Sequence, residues 1–164
     1  MLVGIFADTH DHLENIRRAV DCFNVERVEL VLFAGDLVST IALPPLRKLS
    51  APVVACYGDN EGNKTGLAGG FAVIGQLKEP PVELTVPDGT RFIIAHMKRQ
   101  IAREQSEFDV AVTAHTHKAR VTCDALNRLW INPGETSGWS FGRATVALFE
   151  TVTRRVEIVD LATR

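Results

Sequence analysis

The stretch Leu2–Phe23, LVGIFADTHDHLENIRRAVDCF, changes its hydrophobic period once, and that change decides the fold. Leu2 to Ala7 is an unbroken apolar run rich in β-formers, the pattern of a strand buried on both faces. From there Leu13, Ile16, Val20 and Phe23 recur at helical spacing, and Asp11 followed by Glu14 has the form of a capping box. Glu14 also precedes Arg18 by one turn, an ion-pairing distance on a helix. Working outward, VELVLFAGD (28–36) reads as a second strand, and a helix around 40–48 is interrupted by Pro44-Pro45. APVVACYGD (51–59) is a third strand. A βαβαβ opening implies a parallel sheet with right-handed crossovers.

Beyond about residue 80 the character shifts to strands, near 82–86, 91–95, 109–114, 119–123, 128–131, 144–149 and 155–160. PDGT (87–90) and DALN (124–127) supply turns between them, and a short helix is expected near 98–106. No repeat or linker interrupts the chain, so residues 1–164 read as a single domain. The expected architecture is α/β, with many strands in two packed sheets and helices outside.

Composition narrows the function. An apolar share of 46% with 23% charged residues excludes a disordered chain. A net charge of -2 gives no basic field, hence no strong nucleic-acid or anionic-membrane signature. No apolar run approaches the ~20 residues of a membrane helix. The start, MLVGIFADTH, lacks the basic residues of a signal peptide. Cys22, Cys56 and Cys123 have no CxxC spacing, so reduced thiols and a cytoplasmic location are the simplest reading.

Polar clusters interrupt the strands near their C-terminal ends: Asp8-Thr9-His10, Gly35-Asp36, Gly58-Asp59-Asn60, then His96 and the pair His115/His117. In open α/β sheets that rim is where ligands bind. All five histidines, His12 included, fall there. Each residue also has a plainer reading: a strand-end Asp commonly caps the next helix, and a lone His commonly hydrogen-bonds at a rim. Asp8 and His10 alternate along the chain, as do His115 and His117, so strand pleating would point each pair one way. Converging buried carboxylates and imidazoles need a counter-charge, and only Lys98 and Lys118 lie nearby. Divalent metal meets that need. Seven groups exceed one tetrahedral site, whereas two ions sharing a carboxylate would use them all.

In order, D-x-H, G-D, a G-N-x-[DE]-like GDNE, a lone His and a G-H-x-H-like AHTH resemble the signature of calcineurin-like metallophosphoesterases. GIFADTHDHL, FAGD, YGDNEG, AHTH and INPGE (131–135) extend the likeness over nearly the whole chain, to the small single-domain phosphodiesterases of bacteria and archaea. The resemblance implies a four-layer α/β/β/α sandwich of two mixed β-sheets flanked by helices. It also implies Asp8, His10 and His117 at one metal, Asp36 bridging, and Asp59, His96 and His115 at the second. The implied activity is hydrolysis of phosphate esters, chiefly diesters of small molecules or nucleotides, by water activated on a pair of divalent ions. Manganese suits the mixed oxygen and nitrogen donors best, iron, nickel or zinc also fit, and magnesium fits least. A homodimer or homotetramer is suggested by the same resemblance.

Departures matter. Asp59 stands where the family has Asn, which neutralises the centre: two divalent ions against Asp8, Asp36, Asp59 and a hydroxide. Met97 and Ala114 replace glycines and narrow the mouth. Asn60 takes a position where many relatives have a proton-donating His; it can donate a hydrogen bond but not a proton. Asn60 and Asp36 are therefore the expected catalytic residues, with Thr9 either steadying phosphate or only turning its loop. His12 is expected at a solvent or substrate rim, Pro133 and Gly134 in a loop under the site, and Trp130, Trp139 and Phe141 in the core. Two rival readings remain: an interaction scaffold of the same fold with altered ligands, and a phosphomonoesterase or nucleotidase.

Overall fold

The computed structural model describes residues 1–101 and 107–163. The chain begins β1 (Leu2–Phe6), α1 (Leu13–Val25), β2 (Leu30–Phe33), α2 (Leu43–Leu46), β3 (Val53–Cys56), α3 (Lys64–Phe71) and β4 (Gly75–Lys78). It continues with β5 (Val82–Thr85), β6 (Arg91–Ile94), β7 (Val110–Val112), β8 (Arg120–Cys123), β9 (Leu129–Asn132), β10 (Thr145–Glu150) and β11 (Arg155–Asp160). Two mixed sheets result, ordered β11-β10-β1-β2-β3-β4 and β5-β6-β7-β9-β8. This is the expected pair of sheets flanked by helices.

Pleating explains the layers. Along β1, Val3 and Ile5 face the second sheet, while Phe6 faces the helices; along β2, Leu30 and Leu32 face inward, and Val31 and Phe33 outward. The core between the sheets thus joins Val3, Ile5 and Leu32 to Phe92, Ile94, Val112 and Ile131. The outer core joins Phe6, Phe33 and Phe71 to Ile16, Val20 and Phe23 of α1. Gly4 permits the close approach of that helix, since a Cβ there would lie 2.7 Å from the Phe23 ring. On the far face of the second sheet, Ile93 and Ala111 pack with Ile101, Phe108 and Trp130. Among the described residues no helix is long and apolar enough to cross a membrane.

Several local expectations change. His12, not Asp11, caps α1, its Nδ1 accepting the Asn15 N–H at 3.3 Å. Asp11 turns away because its carboxylate accepts both the N–H and the hydroxyl of Ser39. Pro44 and Pro45 do not interrupt a helix; they start the single turn of α2, where a missing N–H costs nothing. Of the helix expected at 98–106, Lys98–Gln100 form a 3-10 turn, and 102–106 lie outside the described residues. The polar, glycine-rich stretch that forms α3 and β4 carries weak periodicity and gave no sequence signal.

Candidate metal centre

β1, β2 and β3 run parallel side by side in one sheet, as do β6, β7 and β9 in the other. Their six C-terminal ends share one rim, and every candidate ligand follows one of the first five. Asp8 and His10 follow β1, Asp36 follows β2, and Asp59 follows β3; His96 follows β6, and His115 and His117 follow β7. The structure brings all seven together in two groups. Donor atoms of Asp8, His10, Asp36 and His117 lie within 4.8 Å of one another, and so do those of Asp59, His96 and His115.

Convergence does not come from pleating. β1 ends at Phe6 and β7 at Val112, so both alternating pairs lie beyond their strands. Instead Asp8, His10, Asp36, His115 and His117 all have φ between 40° and 67°, the left-handed region that L-residues rarely enter. Each sharp turn folds the chain back across the rim. Such strain concentrates at functional sites because surrounding contacts hold it in place. Here the Asp8 N–H donates to Gly35 O at 3.0 Å, the His10 N–H to Asp36 O at 3.1 Å, and Thr9 Oγ1 to Asp36 O at 2.9 Å. Thr9 is fully buried in that role, so of its two expected functions the structure shows the loop-turning one.

Two glycines let the chain segments approach. A Cβ on Gly58 would collide with Asp36 Oδ1, and one on Gly35, at φ +94°, would fall 2.6 Å from Gly58 N. The Glu61 carboxylate ties the same loops, accepting the N–H groups of Gly58 at 2.7 Å and Asp36 at 2.9 Å. Asp36 Oδ1 in turn accepts the N–H groups of Asp59 and Asn60 at 3.0 and 3.1 Å. Its Oδ2 accepts the Asn60 side-chain amide at 2.8 Å. The carboxylate sits between the groups, 3.4 Å from His10 Nε2 and 3.5 Å from His96 Nε2.

Imidazole orientation is set from behind. His96 Nδ1 donates to the carbonyl of Ala34 at 2.8 Å, leaving Nε2 facing Asp59 Oδ1 at 2.8 Å. His117 Nδ1 donates to Glu135 Oε2 at 2.8 Å, leaving Nε2 toward His10 Nε2 at 3.3 Å. Fixing the second nitrogen of a ligand imidazole in this way is common at metal sites. Glu135 is fully buried, yet four groups donate to it: the N–H of Ser140 and of Phe141, the Ser137 hydroxyl and His117. Although burial pushes the Glu135 carboxyl up, those donors, the Ser140 N–H first, hold it below the usual range. Neither Glu61 nor Glu135 was given a role by sequence reasoning. The available signal was an acid three residues after Gly58 in GDNE and one directly after Gly134 in NPGE.

The donor chemistry fits a cation. Asp8 Oδ1 is buried with no hydrogen-bond partner, 3.7 Å from His117 Nε2. Burial, with Asp36 adding, pushes the Asp8 carboxyl up to about 8. His10 is lowered, chiefly by burial, which favours the neutral ring that ligates metal. Ring nitrogens also meet at 3.3 Å in two places, His10 with His117 and His96 with His115. A divalent ion relieves each of these features at once.

Aromatic placement divides. Trp130 is buried as expected, but Trp139 is 67% and Phe141 55% exposed, so these two are not core. The cause is the Glu135 loop: it draws in the backbone of Ser140 and Phe141, and Ser140 Oγ lies 2.9 Å from His117 Nδ1. The flanking rings are left outward. His12, half-buried, lies 5.0 Å from the Trp139 ring at that rim.

Comparison with known proteins agrees with this arrangement. Residues 1–154 match the family model of the calcineurin-like phosphoesterase superfamily domain. The chain is 36% identical over 156 residues to phosphodiesterase MJ0936 of Methanocaldococcus jannaschii, covering 92% of this chain and 93% of that one. Among solved structures, an archaeal phosphodiesterase superposes with a TM-score of 0.90 at 31% identity, covering 98% and 99% of the two chains. The Escherichia coli phosphoesterase YfcE shares the fold, with a TM-score of 0.73 at 16% identity over 98% and 100%. The chain belongs to the calcineurin-like phosphoesterase superfamily, and it is a phosphoester hydrolase that uses divalent metal.

Proposed function

We propose that this protein is a phosphodiesterase whose centre holds two divalent ions, manganese by preference. Asp8, His10 and His117 would hold the first, Asp59, His96 and His115 the second, and Asp36 both. The observation that carries this reading is the position of Asp36, within 3.5 Å of an imidazole nitrogen of each group. Bound there, a pair of ions would supply an activated water and positive charge for the phosphoryl oxygens.

The chain's own residues do the rest. Glu135 and the Ala34 carbonyl keep the His117 and His96 rings in the tautomer whose Nε2 faces the site. The Asn60 amide donates to Asp36 Oδ2, and from that position it would also donate a hydrogen bond to a phosphoryl oxygen. Having no proton to give, it leaves the departing group unprotonated, which favours diesters whose leaving group is acidic. A small-molecule or nucleotide diester is the proposed substrate, acted on by a single domain spanning 1–164, as a homo-oligomer. A cytoplasmic setting accords with three free thiols, Cys22, Cys56 and Cys123. Convergence of the full donor set weighs against a pure scaffold.

The test is turnover of bis(p-nitrophenyl) phosphate against p-nitrophenyl phosphate with added Mn²⁺. Diester turnover exceeding monoester turnover, and its loss in Asp36→Ala, is expected. Inactivity of the wild type with manganese, nickel, zinc and iron in turn would overturn the proposal, as would full activity in Asp36→Ala.

A further inference from the structure

Beside the His115 end of the centre lies a cavity of about 380 Å³ whose lining is chemically unlike the centre itself. Its walls include Met97, Lys98, Arg99, His115, Arg120 and Trp130, with no carboxylate lining it among the described residues. Lys98, Arg99 and Arg120 are exposed, and none has an ion pair among the described residues. The Lys98 ammonium is held over the Trp130 ring, 4.5 Å from its centroid, which fixes its position without neutralising it. The Trp130 indole is itself anchored by donating to Asp124 at 3.1 Å. Three cations therefore face an opening one wall of which, His115, belongs to the second donor group. Some other basic side chains answer acids, as Arg91 does with Asp109 and Glu107, and Arg143 with Asp160.

We infer that this cavity is a subsite for a second phosphate group, on the arm of the substrate that extends past His115. The inference rests on the reading of the centre as a phosphodiesterase and names its substrate class: a nucleotide-type diester bearing a further phosphate near the scissile one. The charge calls for an anion, and two guanidinium groups with a lysine on one lining suit a phosphate, the group the neighbouring centre handles. The centre's net charge makes the subsite useful. With three carboxylates among its donors, the metal pocket attracts a phosphate less than it would with a neutral amide in place of Asp59, and the flanking cations restore that attraction. Size is consistent, because a cavity of this volume admits a phosphorylated sugar and excludes a folded macromolecule.

The experiment compares thymidylyl-thymidine with its 5′-phosphorylated and 3′-phosphorylated forms as substrates of the manganese-loaded protein. One phosphorylated form is expected to show a kcat/KM about 10- to 100-fold above the unphosphorylated dinucleotide, the range for one or two charge-assisted contacts. Which form it is identifies the arm that passes His115. In Lys98→Ala/Arg120→Ala that ratio falls to near one, and in Arg120→Glu it drops below one. Both side chains are exposed, so folding is not at risk. Equal kcat/KM for all three dinucleotides, or a ratio unchanged in the double variant, would overturn the subsite. A binding arm separates this outcome from failure of the phosphodiesterase reading: calorimetric titration with thymidine 3′,5′-bisphosphate and with thymidine 5′-monophosphate. Tighter binding of the bisphosphate, lost in the double variant, supports the subsite even without turnover. Equal affinities refute it whatever the activity.

Discussion

Replacing Glu135 by Gln keeps the shape of the side chain and removes its charge, which makes it a direct probe of how His117 is aimed. Every partner of this buried carboxylate is a donor: His117 Nδ1 at 2.8 Å, the Ser140 N–H at 2.9 Å, the Phe141 N–H at 2.7 Å and the Ser137 hydroxyl at 3.2 Å. An amide must turn its NH₂ toward one end. If it faces Phe141, two donors oppose each other and the loop is strained. If it faces His117, the ring must accept at Nδ1, which places the proton on Nε2 and removes the nitrogen that would hold metal. Either arrangement forfeits one charge-assisted hydrogen bond, about 1.5–3 kcal/mol. The corresponding loss in metal affinity is about 10- to 100-fold. Calorimetric titration of the metal-free protein with Mn²⁺ reads it, and a thermal melt checks the fold. Wild-type Mn²⁺ affinity in a folded Glu135→Gln variant would refute the reasoning.

Three further outcomes are expected. In Asp59→Asn the second ion should be retained less well while inorganic phosphate inhibits more strongly, because a negative donor is lost beside His96 and His115; metal analysis and inhibition constants check both. Since burial holds the Asp8 carboxyl near 8 in the metal-free chain, the proton is bound below that pH and must leave when metal enters. Mn²⁺ affinity should therefore rise with pH up to about 8 and level off, with proton release at neutral pH; pH-independent affinity over that range contradicts it. Trp130→Ala should cost about 3–5 kcal/mol of stability, whereas Trp139→Ala should change it by less than about 0.5 kcal/mol, as denaturant melts of the two variants will show.

The element types were legible where local pattern and burial coincide. β1 and α1 announce themselves because a two-sided buried strand is continuously apolar and a half-buried helix repeats every three to four residues. The seven candidate donors that the fold gathers were legible too, since acids and histidines at strand ends are conspicuous in an apolar chain. Asp11 shows the limit of local chemistry: its sequence context is that of a cap, but Ser39, distant in sequence, takes the carboxylate. Trp139 and Phe141 show the same limit, because the loop that turns them outward is pinned by Glu135 beneath it.

What sequence alone determined was which groups could bind metal and that they follow strands. Tertiary structure decided how they meet. Asp8, His10, Asp36, His115 and His117 are aimed by left-handed turns, which Asp and His tolerate better than most residues but which local sequence does not specify, and neighbouring loops hydrogen-bond them in place. The Glu135 carboxylate and the cationic cavity beside His115 likewise arise from segments far apart in the chain. The candidate ligands meet because two sheets pack face to face, and the cavity forms where β6, β7, β9 and β8 pair within one of them; neither follows from any local segment.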